Sequence, residues 1–107
     1  MDELKELYAT VQSRKESAQD GSYTKYLFDQ GLDKILKKCA EECGEVIIAA
    51  KNGNNTDTVL ELGDLLYHLT VLMAQQGISW EQVEEELARR SEKQGNLKTF
   101  HQVDKNS

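Results

Sequence analysis

Apolar residues recur three and four positions apart along most of this chain, which is the spacing of one face of an α-helix. Leu4, Leu7 and Val11 show this spacing near the N-terminus. It predicts four main helices and one short helical segment, over residues 2–18, 22–28, 32–52, 56–76 and 79–93. Proline is absent and only seven glycines occur, so few positions interrupt the helices. The predicted fold class is therefore all-α, a helical bundle.

Turn and capping residues mark the ends of these helices. The run Asn52–Asn55 contains glycine and asparagine, which favour C-caps and turns, and it joins the flanking helices into a predicted antiparallel hairpin. Ser79 and Gln82 have the spacing of a capping box at the start of the last helix. After that helix the apolar spacing fades. We expect one domain over residues 1–93 and a polar C-terminal tail over residues 94–107.

Composition and charge exclude several classes of protein. A chain of 107 residues has a small core that a second subunit would help to complete. Nineteen acidic and thirteen basic residues give a net charge of -6, and no lysine or arginine block stands apart, so a nucleic-acid partner is not expected. No apolar run approaches the roughly 20 residues of a membrane helix, and Met1–Lys5 lacks the pattern of a signal peptide. We expect a cytoplasmic protein with no membrane partner.

Two pairs of carboxylates stand on the two helices of the predicted hairpin. Glu42 and Glu45 lie about 60° apart on one helix face, and Glu61 and Asp64 have the same spacing. Both pairs are equally distant from Gly53 in the turn, so an antiparallel hairpin brings them to the same level. Facing helix axes are about 8–10 Å apart, which allows opposed carboxylates to share a cation. The sequence therefore predicts a metal site between these helices.

The helix that carries Glu61 and Asp64 is apolar around most of its circumference, which is typical of a buried helix. Its apolar positions are Val59, Leu60, Leu62, Leu66, Tyr67, Leu69, Val71, Met73 and Ala74. Buried carboxylates are costly unless they are paired or bind a metal, and an all-oxygen ligand set selects Mg²⁺ or Mn²⁺. On the other helix of the hairpin, Glu42 and its charged neighbours lie opposite an apolar arc of Ile35, Leu36, Cys39, Cys43, Val46 and Ile47. The alternatives are a solvated charged surface, or an ion-pair lining in which Lys34 and Lys38 balance the acids.

Basic residues near the carboxylates are candidate contacts for substrate phosphates. Lys38 and His68 are also equidistant from the turn, one helical turn farther from it, and Lys34 shares the face of Lys38. His68 can equally be a buried histidine that donates to a carboxylate. Arg89 lies near the end of the last helix, where a cation suits the helix dipole, so a structural role and a phosphate contact are both open. Metal-bound phosphates beside such cations indicate phosphoryl transfer.

The acidic pattern is similar to a known signature. Glu41-Glu42-x-x-Glu45, followed by Glu61-x-x-Asp64, resembles the motif of the MazG-like all-α nucleoside-triphosphate pyrophosphohydrolases. Within that superfamily, the chain resembles the phosphoribosyl-ATP pyrophosphohydrolase family of histidine biosynthesis. The narrower resemblance is carried by Ser22-Tyr23-Thr24, Leu27, Gly31, Asp33–Lys38, Ala49–Asn52 and Asp64–His68.

The resemblance implies hydrolysis of phosphoribosyl-ATP to phosphoribosyl-AMP and pyrophosphate by a helical homodimer. By position, it implies that magnesium is held by Glu42, Glu45, Glu61 and Asp64. It further implies that Glu41, or one of those ligands such as Glu42, activates water. The expected substrate contacts, placed beside this site, are Lys34, Lys38, His68 and Arg89.

Two other hypotheses remain open at this point. A house-cleaning pyrophosphatase of the same superfamily would act on dCTP, dUTP or a damaged nucleotide with the same metal cluster. A non-catalytic helical dimerisation module would only pair its acids with lysines. An assay of pyrophosphate release distinguishes a phosphoribosyl-ATP hydrolase from a house-cleaning enzyme. The third hypothesis predicts that Glu61→Gln leaves stability and magnesium affinity almost unchanged.

Overall fold

Five α-helices make up the part of the chain that the structure describes, in the order that the sequence predicts. The structure, a computed structural model, describes residues 2–17 and 21–101, with side chains described as far as residue 92. The helices are α1 Asp2–Glu16, α2 Tyr23–Gln30, α3 Leu32–Lys51, α4 Asn55–Gln76 and α5 Trp80–His101. No β-strand occurs within these ranges, so the all-α prediction is confirmed. None of these helices has both the length and the apolar character needed to cross a membrane.

Polar side chains cap three of the helices at their N-termini. The Ser22 hydroxyl accepts a hydrogen bond from the Lys25 backbone N–H (3.1 Å) at the start of α2. The Asn54 side chain does the same for the first turn of α4. Before α5, the Ser79 hydroxyl accepts from the Gln82 N–H while the Gln82 side chain accepts from the Ser79 N–H. The predicted capping box is therefore confirmed.

Helices α3 and α4 form the predicted antiparallel hairpin, and their packing sets the register of the site. The turn between them contains Gly53, whose φ of 73° is the left-handed conformation that glycine adopts at little cost. Across the hairpin, the Cys39 thiol contacts the backbone carbonyl of His68 at 3.5 Å. Cys39 and His68 are almost equally far from Gly53 along the chain, so the predicted level arrangement of the two helices is confirmed.

The core lies where α1 and α2 pack on the half of the hairpin that is distant from its loop. Val11, Leu27, Ile35 and Val71, one residue from each of α1 to α4, are at most 1% exposed. Helix α5 joins the assembly through the Trp80 indole N–H, which donates to the Thr70 hydroxyl at 3.3 Å, and through an ion pair with α1. The loop-side half of the hairpin has no such cover among the described residues.

Helix α4 differs from the prediction that it is buried on nearly every side. Val59, Leu60 and Leu62 in its N-terminal half are 67%, 63% and 42% exposed. The physical reason is length, because α1 and α2 are shorter than the hairpin and cover only the C-terminal half of α4. The apolar arc of α3 is divided by face instead, because Ile35 and Ala49 are buried on one face whereas Leu36 and Ile47 are exposed on the next.

The C-terminal boundary also differs from the sequence pattern. Helix α5 continues to His101, beyond residue 93, where the apolar spacing fades. Residues 102–107 of the predicted polar tail lie outside the described residues. The division into a domain over 1–93 and a tail over 94–107 therefore stays a prediction.

Substitution of the most enclosed core leucine tests this packing. Leu27→Ala removes a side chain that is 0% exposed, so we expect a loss of about 2–5 kcal/mol in the free energy of unfolding, measured by urea denaturation. Leu87→Ala, at a position that is 58% exposed, is the matched control and should change stability by less than about 0.5 kcal/mol. Equal losses in the two variants would contradict the described core.

Candidate active site

Glu42 projects into the interior of the hairpin because it lies on the buried face of α3. It follows Ile35 by seven residues, which is about two helical turns, and it is only 7% exposed. The sequence analysis placed Glu42 opposite the apolar arc of this helix, and that placement is wrong. The core-facing residues are Ile35, Cys39, Glu42 and Ala49, so one carboxylate stands within an otherwise apolar row.

Three of the four predicted ligands come together around this carboxylate. One carboxylate oxygen each from Glu42, Glu45 and Glu61 lies within 4.8 Å of the other two. Asp64 stands beside this group, one turn along α4 from Glu61, and its charge acts on both Glu42 and Glu61. The predicted meeting of acidic pairs across the hairpin is therefore confirmed for Glu42, Glu45 and Glu61, with Asp64 at the margin.

The carboxylates differ in burial, which corrects the expectation that all four are enclosed. Glu42 is buried and Glu61 is partly buried, whereas Glu45 and Asp64 are exposed. Glu45, Glu61 and Asp64 face a cleft of about 630 Å³ between α3 and α4, and Glu42 lies behind them, outside its lining. Its lining consists of Glu45, Ile48, Ala49, Asn52, Asp57, Leu60, Glu61 and Asp64. The acids are therefore accessible from one side, as a site that admits a substrate must be.

Mutual repulsion and burial leave Glu42 in need of a cation. Burial, followed by the hydrogen bond and charge of Glu45, raises the pKa of Glu42 to about 7. Burial and the charge of Glu45 also raise the pKa of Glu61. Glu42 Oε2 is buried and accepts no hydrogen bond from any described residue. An orphaned buried carboxylate oxygen next to two more carboxylates fits a hard divalent cation such as Mg²⁺.

Glu41 lies outside this carboxylate cluster although it is adjacent to Glu42 in sequence. Its carboxylate is exposed and pairs with the Lys38 ammonium at 3.0 Å. This hydrogen bond with Lys38 lowers the pKa of Glu41, which makes the carboxylate a weaker base. The hydrogen bond also raises the pKa of Lys38, so Lys38 keeps its positive charge. Glu41 therefore has an ion-pair partner within the chain and does not belong to the carboxylate cluster.

The predicted contact between His68 and a substrate phosphate needs correction. His68 is 6% exposed, and both ring nitrogens are engaged within the chain. Nδ1 lies 2.8 Å from the Asp64 backbone oxygen, which can only accept, so Nδ1 donates. In the neutral ring, Nε2 then accepts from the Tyr23 hydroxyl at 3.0 Å. His68 therefore positions Tyr23 and has no donor left for a phosphate.

A second hydrogen bond runs beside this one and joins the same two helices. The Thr24 hydroxyl bonds the Tyr67 hydroxyl, next to the bond between Tyr23 and His68. We call these two bonds the α2–α4 clasp. The clasp explains why a Ser-Tyr-Thr run and a Tyr-His run occur together in one sequence. Sequence reasoning cited Tyr23 only for the resemblance and assigned it no contact within the fold.

The remaining predicted substrate contacts, Lys34 and Arg89, lie on different helices. The Lys34 ammonium lies 5.9 Å from the centroid of the Tyr26 ring, on the side of α3 that carries Lys38. Arg89 lies on α5, where its guanidinium pairs with Glu86 of the same helix. Arg89 is therefore not brought to the carboxylates within the chain. Sequence reasoning gave no site role to Ile48 and Asn52, which line the cleft. Asn52 follows Glu45 by two helical turns, and this spacing could have placed it on the same face.

Comparison with known proteins identifies the family of this chain. The model of the phosphoribosyl-ATP pyrophosphohydrolase family matches residues 4–91, a span that includes every carboxylate of the site. The chain belongs to that family. The match ends within α5, so the last part of that helix lies outside the region that defines the phosphoribosyl-ATP pyrophosphohydrolases.

Curated relatives agree with the family assignment over nearly the whole chain. A phosphoribosyl-ATP pyrophosphatase of Lactiplantibacillus plantarum is 48% identical over 92% of this chain and 92% of its own length. The enzyme of that name from Listeria welshimeri is 50% identical over 94% of this chain and 97% of its own. The one from Pelotomaculum thermopropionicum is 52% identical over 86% and 94%. The chain therefore spans nearly the full length of these relatives.

The raised pKa of Glu42 predicts a pH dependence of stability in metal-free protein. Glutamate ordinarily titrates near 4.5, and Glu42 titrates near 7 in the fold, so between these values the folded state binds the additional proton. The free energy of unfolding should therefore fall as pH rises from about 4.5 to about 7. Urea unfolding in the presence of EDTA at a series of pH values measures this fall.

Glu42→Gln supplies the matched comparison for that titration, because the amide keeps the shape and cannot ionise. The difference in stability between the two proteins should grow in favour of the variant across the same pH range and level off above it. Parallel curves for the two proteins would show that Glu42 is not held at a raised pKa.

Proposed function

We propose that this chain is a magnesium-dependent enzyme that hydrolyses phosphoribosyl-ATP to phosphoribosyl-AMP and pyrophosphate in histidine biosynthesis, and that it works in the cytoplasm. Family membership and the names of its relatives support the reaction. The observation that carries the metal is the buried Glu42 Oε2, which lacks a hydrogen-bond donor beside Glu45 and Glu61. Membership of this family argues against both the house-cleaning enzyme and the non-catalytic module.

Glu42, Glu45 and Glu61 are the residues that would hold Mg²⁺, with Asp64 completing the set from the next turn of α4. Bound there, Mg²⁺ would offset the charge of the phosphate chain and polarise its oxygens. Mn²⁺ has the same preference for oxygen ligands and is the expected substitute. Without a cation, an acidic cleft would repel an anionic substrate. The carboxylates and the substrate phosphates would therefore both need the bound cation.

The chain's own residues bind the phosphates and activate water. Lys34 and Lys38 stand on the side of α3 that faces the site, so their ammonium groups would pair with phosphate oxygens. Lys38 would then exchange its ion pair with Glu41 for an ion pair with a phosphate. Glu41 would be a weak base, because its hydrogen bond with Lys38 lowers its pKa. A carboxylate of the cluster would therefore accept the proton of the attacking water in its place.

A second copy of the chain would cover the apolar surface that the fold leaves open. On α3, Leu36, Cys43 and Ile47 are exposed and fall within about 40° of one another by the helix repeat. On α4, Val59 and Leu62 are exposed one turn apart. Exposed apolar surface of this extent on one hairpin is typical of a subunit interface. We therefore propose that the enzyme is a homodimer.

Removal of one metal ligand tests the proposed reaction. Glu61→Gln should lower pyrophosphate release from phosphoribosyl-ATP by about a hundredfold or more, because residues that only orient ligands already contribute about 10–100-fold. Titration calorimetry should show a matching loss of Mg²⁺ affinity. Glu3→Gln, at an exposed glutamate of α1, is the control for a lost surface charge and should retain activity and binding.

The same assay distinguishes the substrates. The wild-type protein with Mg²⁺ should release pyrophosphate from phosphoribosyl-ATP much faster than from dCTP or dUTP. Preferential turnover of the deoxynucleotides would overturn the assignment to histidine biosynthesis. Unchanged Mg²⁺ affinity in Glu61→Gln would overturn the metal site.

A charge placed in the exposed apolar surface tests the dimer. The wild-type protein should scatter light with twice the 12.1 kDa mass of the chain, and Leu62→Lys should shift the mass toward that of the single chain, because burying an unpaired ammonium is costly. Leu87→Lys changes an exposed leucine of α5 and should leave the mass unaltered. A single-chain mass for the wild-type protein would contradict the proposal.

A further inference from the structure

Two tyrosines of α2 present exposed rings beside the site. Tyr23 and Tyr26 are one helical turn apart and are 45% and 44% exposed. Their rings stack with centroids 6.1 Å apart and an interplanar angle of 25°. Half-exposed aromatic rings that stack on each other offer a flat apolar surface with a polar rim, which is a common form of ligand anchor. We call this pair the tyrosine surface.

The fold holds the ring of Tyr23 in place. Its hydroxyl donates to His68 Nε2 at 3.0 Å, and its ring meets the His68 ring edge-on at 5.7 Å and stacks near Tyr67 at 6.2 Å. The clasp bond from Thr24 to Tyr67 fixes the neighbouring ring as well. The hydroxyl proton of Tyr23 is already donated, so what Tyr23 offers to a ligand is the exposed part of its ring. A ring fixed in advance loses little conformational entropy on binding a ligand.

The tyrosine surface lies on the same side of the molecule as the carboxylates. The Tyr23 hydroxyl bonds His68, whose other ring nitrogen bonds the backbone oxygen of Asp64. The Lys34 ammonium lies 5.9 Å from the Tyr26 ring centroid. By the helix repeat, Lys34 and Lys38 point about 160° or more away from Leu36, which belongs to the proposed dimer surface. The occupant of the tyrosine surface is therefore a molecule that also meets lysines and metal-binding carboxylates.

We propose that Tyr23 and Tyr26 bind the purine base of the nucleotide substrate by stacking, with Lys34 and Lys38 beside them at the phosphates. The inference deepens the proposed function and rests on it. Of the parts of such a substrate, only the base has a π face that stacks on an aromatic ring; ribose and phosphate do not. The rival position for the base is the cleft between Ile48 and Leu60, which carries aliphatic groups and no aromatic ring.

A pair of binding probes isolates the base. Adenosine 5′-monophosphate contains the purine, and ribose 5-phosphate is the same molecule without it. With Mg²⁺ present, titration calorimetry should show that Tyr26→Leu weakens adenosine 5′-monophosphate binding by about tenfold, within the range measured for base stacking on aromatic residues. Binding of ribose 5-phosphate should change by less than about twofold. Tyr26→Phe, which keeps the ring, should restore the wild-type affinity for adenosine 5′-monophosphate.

Kinetics with phosphoribosyl-ATP give a second readout. Tyr26→Leu should raise KM by about tenfold and leave kcat within about twofold, because stacking of a remote base is equally strong in the ground state and the transition state. Unchanged binding and unchanged KM in Tyr26→Leu would overturn the proposal. It would also be overturned if Ile48→Ala, rather than Tyr26→Leu, selectively weakened adenosine 5′-monophosphate binding.

The wild-type protein alone provides a test that does not require a folded variant. Stacking on the tyrosine surface should quench tyrosine fluorescence when adenosine 5′-monophosphate is added and should not do so with ribose 5-phosphate. Equal effects of the two probes would contradict stacking. Absence of phosphoribosyl-ATP hydrolysis by the wild-type protein would remove the proposed function while leaving the nucleotide-binding result to be judged by itself.

Discussion

The constraint on which this structure depends is a carboxylate enclosed between two helices. Glu42 occupies a position on α3 that the helix repeat assigns to the interior, where its neighbours in the row are apolar and where Glu45 and Glu61 add negative charge. Burial of a carboxylate among carboxylates is unfavourable unless protons or a cation compensate it. A fold that keeps this arrangement gives up stability in the metal-free state, and this cost is the reason why we propose a cation as part of the site.

The α2–α4 clasp connects the N-terminal part of the chain to this centre. Tyr23 and Thr24 at the start of α2 bond His68 and Tyr67 of α4, and His68 bonds the backbone at Asp64 in turn. Each of these groups is satisfied by a partner of fixed geometry, so the aromatic rings have few alternative conformations. The same contacts that attach α2 to the hairpin therefore also fix the surface that we assign to the base.

The incomplete cover of the hairpin leaves two open surfaces. On one side, the exposed half of α3 and α4 opens as a cleft lined by carboxylates and by Ile48 and Leu60. On the other side, Leu36 and Ile47 remain exposed and suit a second copy. Full enclosure of the hairpin by α1 and α2 would stabilise a single chain and would close the cleft, so a short α1 is consistent with an enzyme.

The sequence by itself determined the helices, their order, the hairpin register and the acids that meet across it, because helix period and distance from the turn are local properties of the chain. It did not determine which way each helix faces its neighbours. Glu42 was assigned to the wrong face of α3, His68 was taken for a phosphate contact, and Tyr23 received no role. Burial and hydrogen-bond partners depend on which helices pack together and how far they reach, and only the tertiary structure decides that.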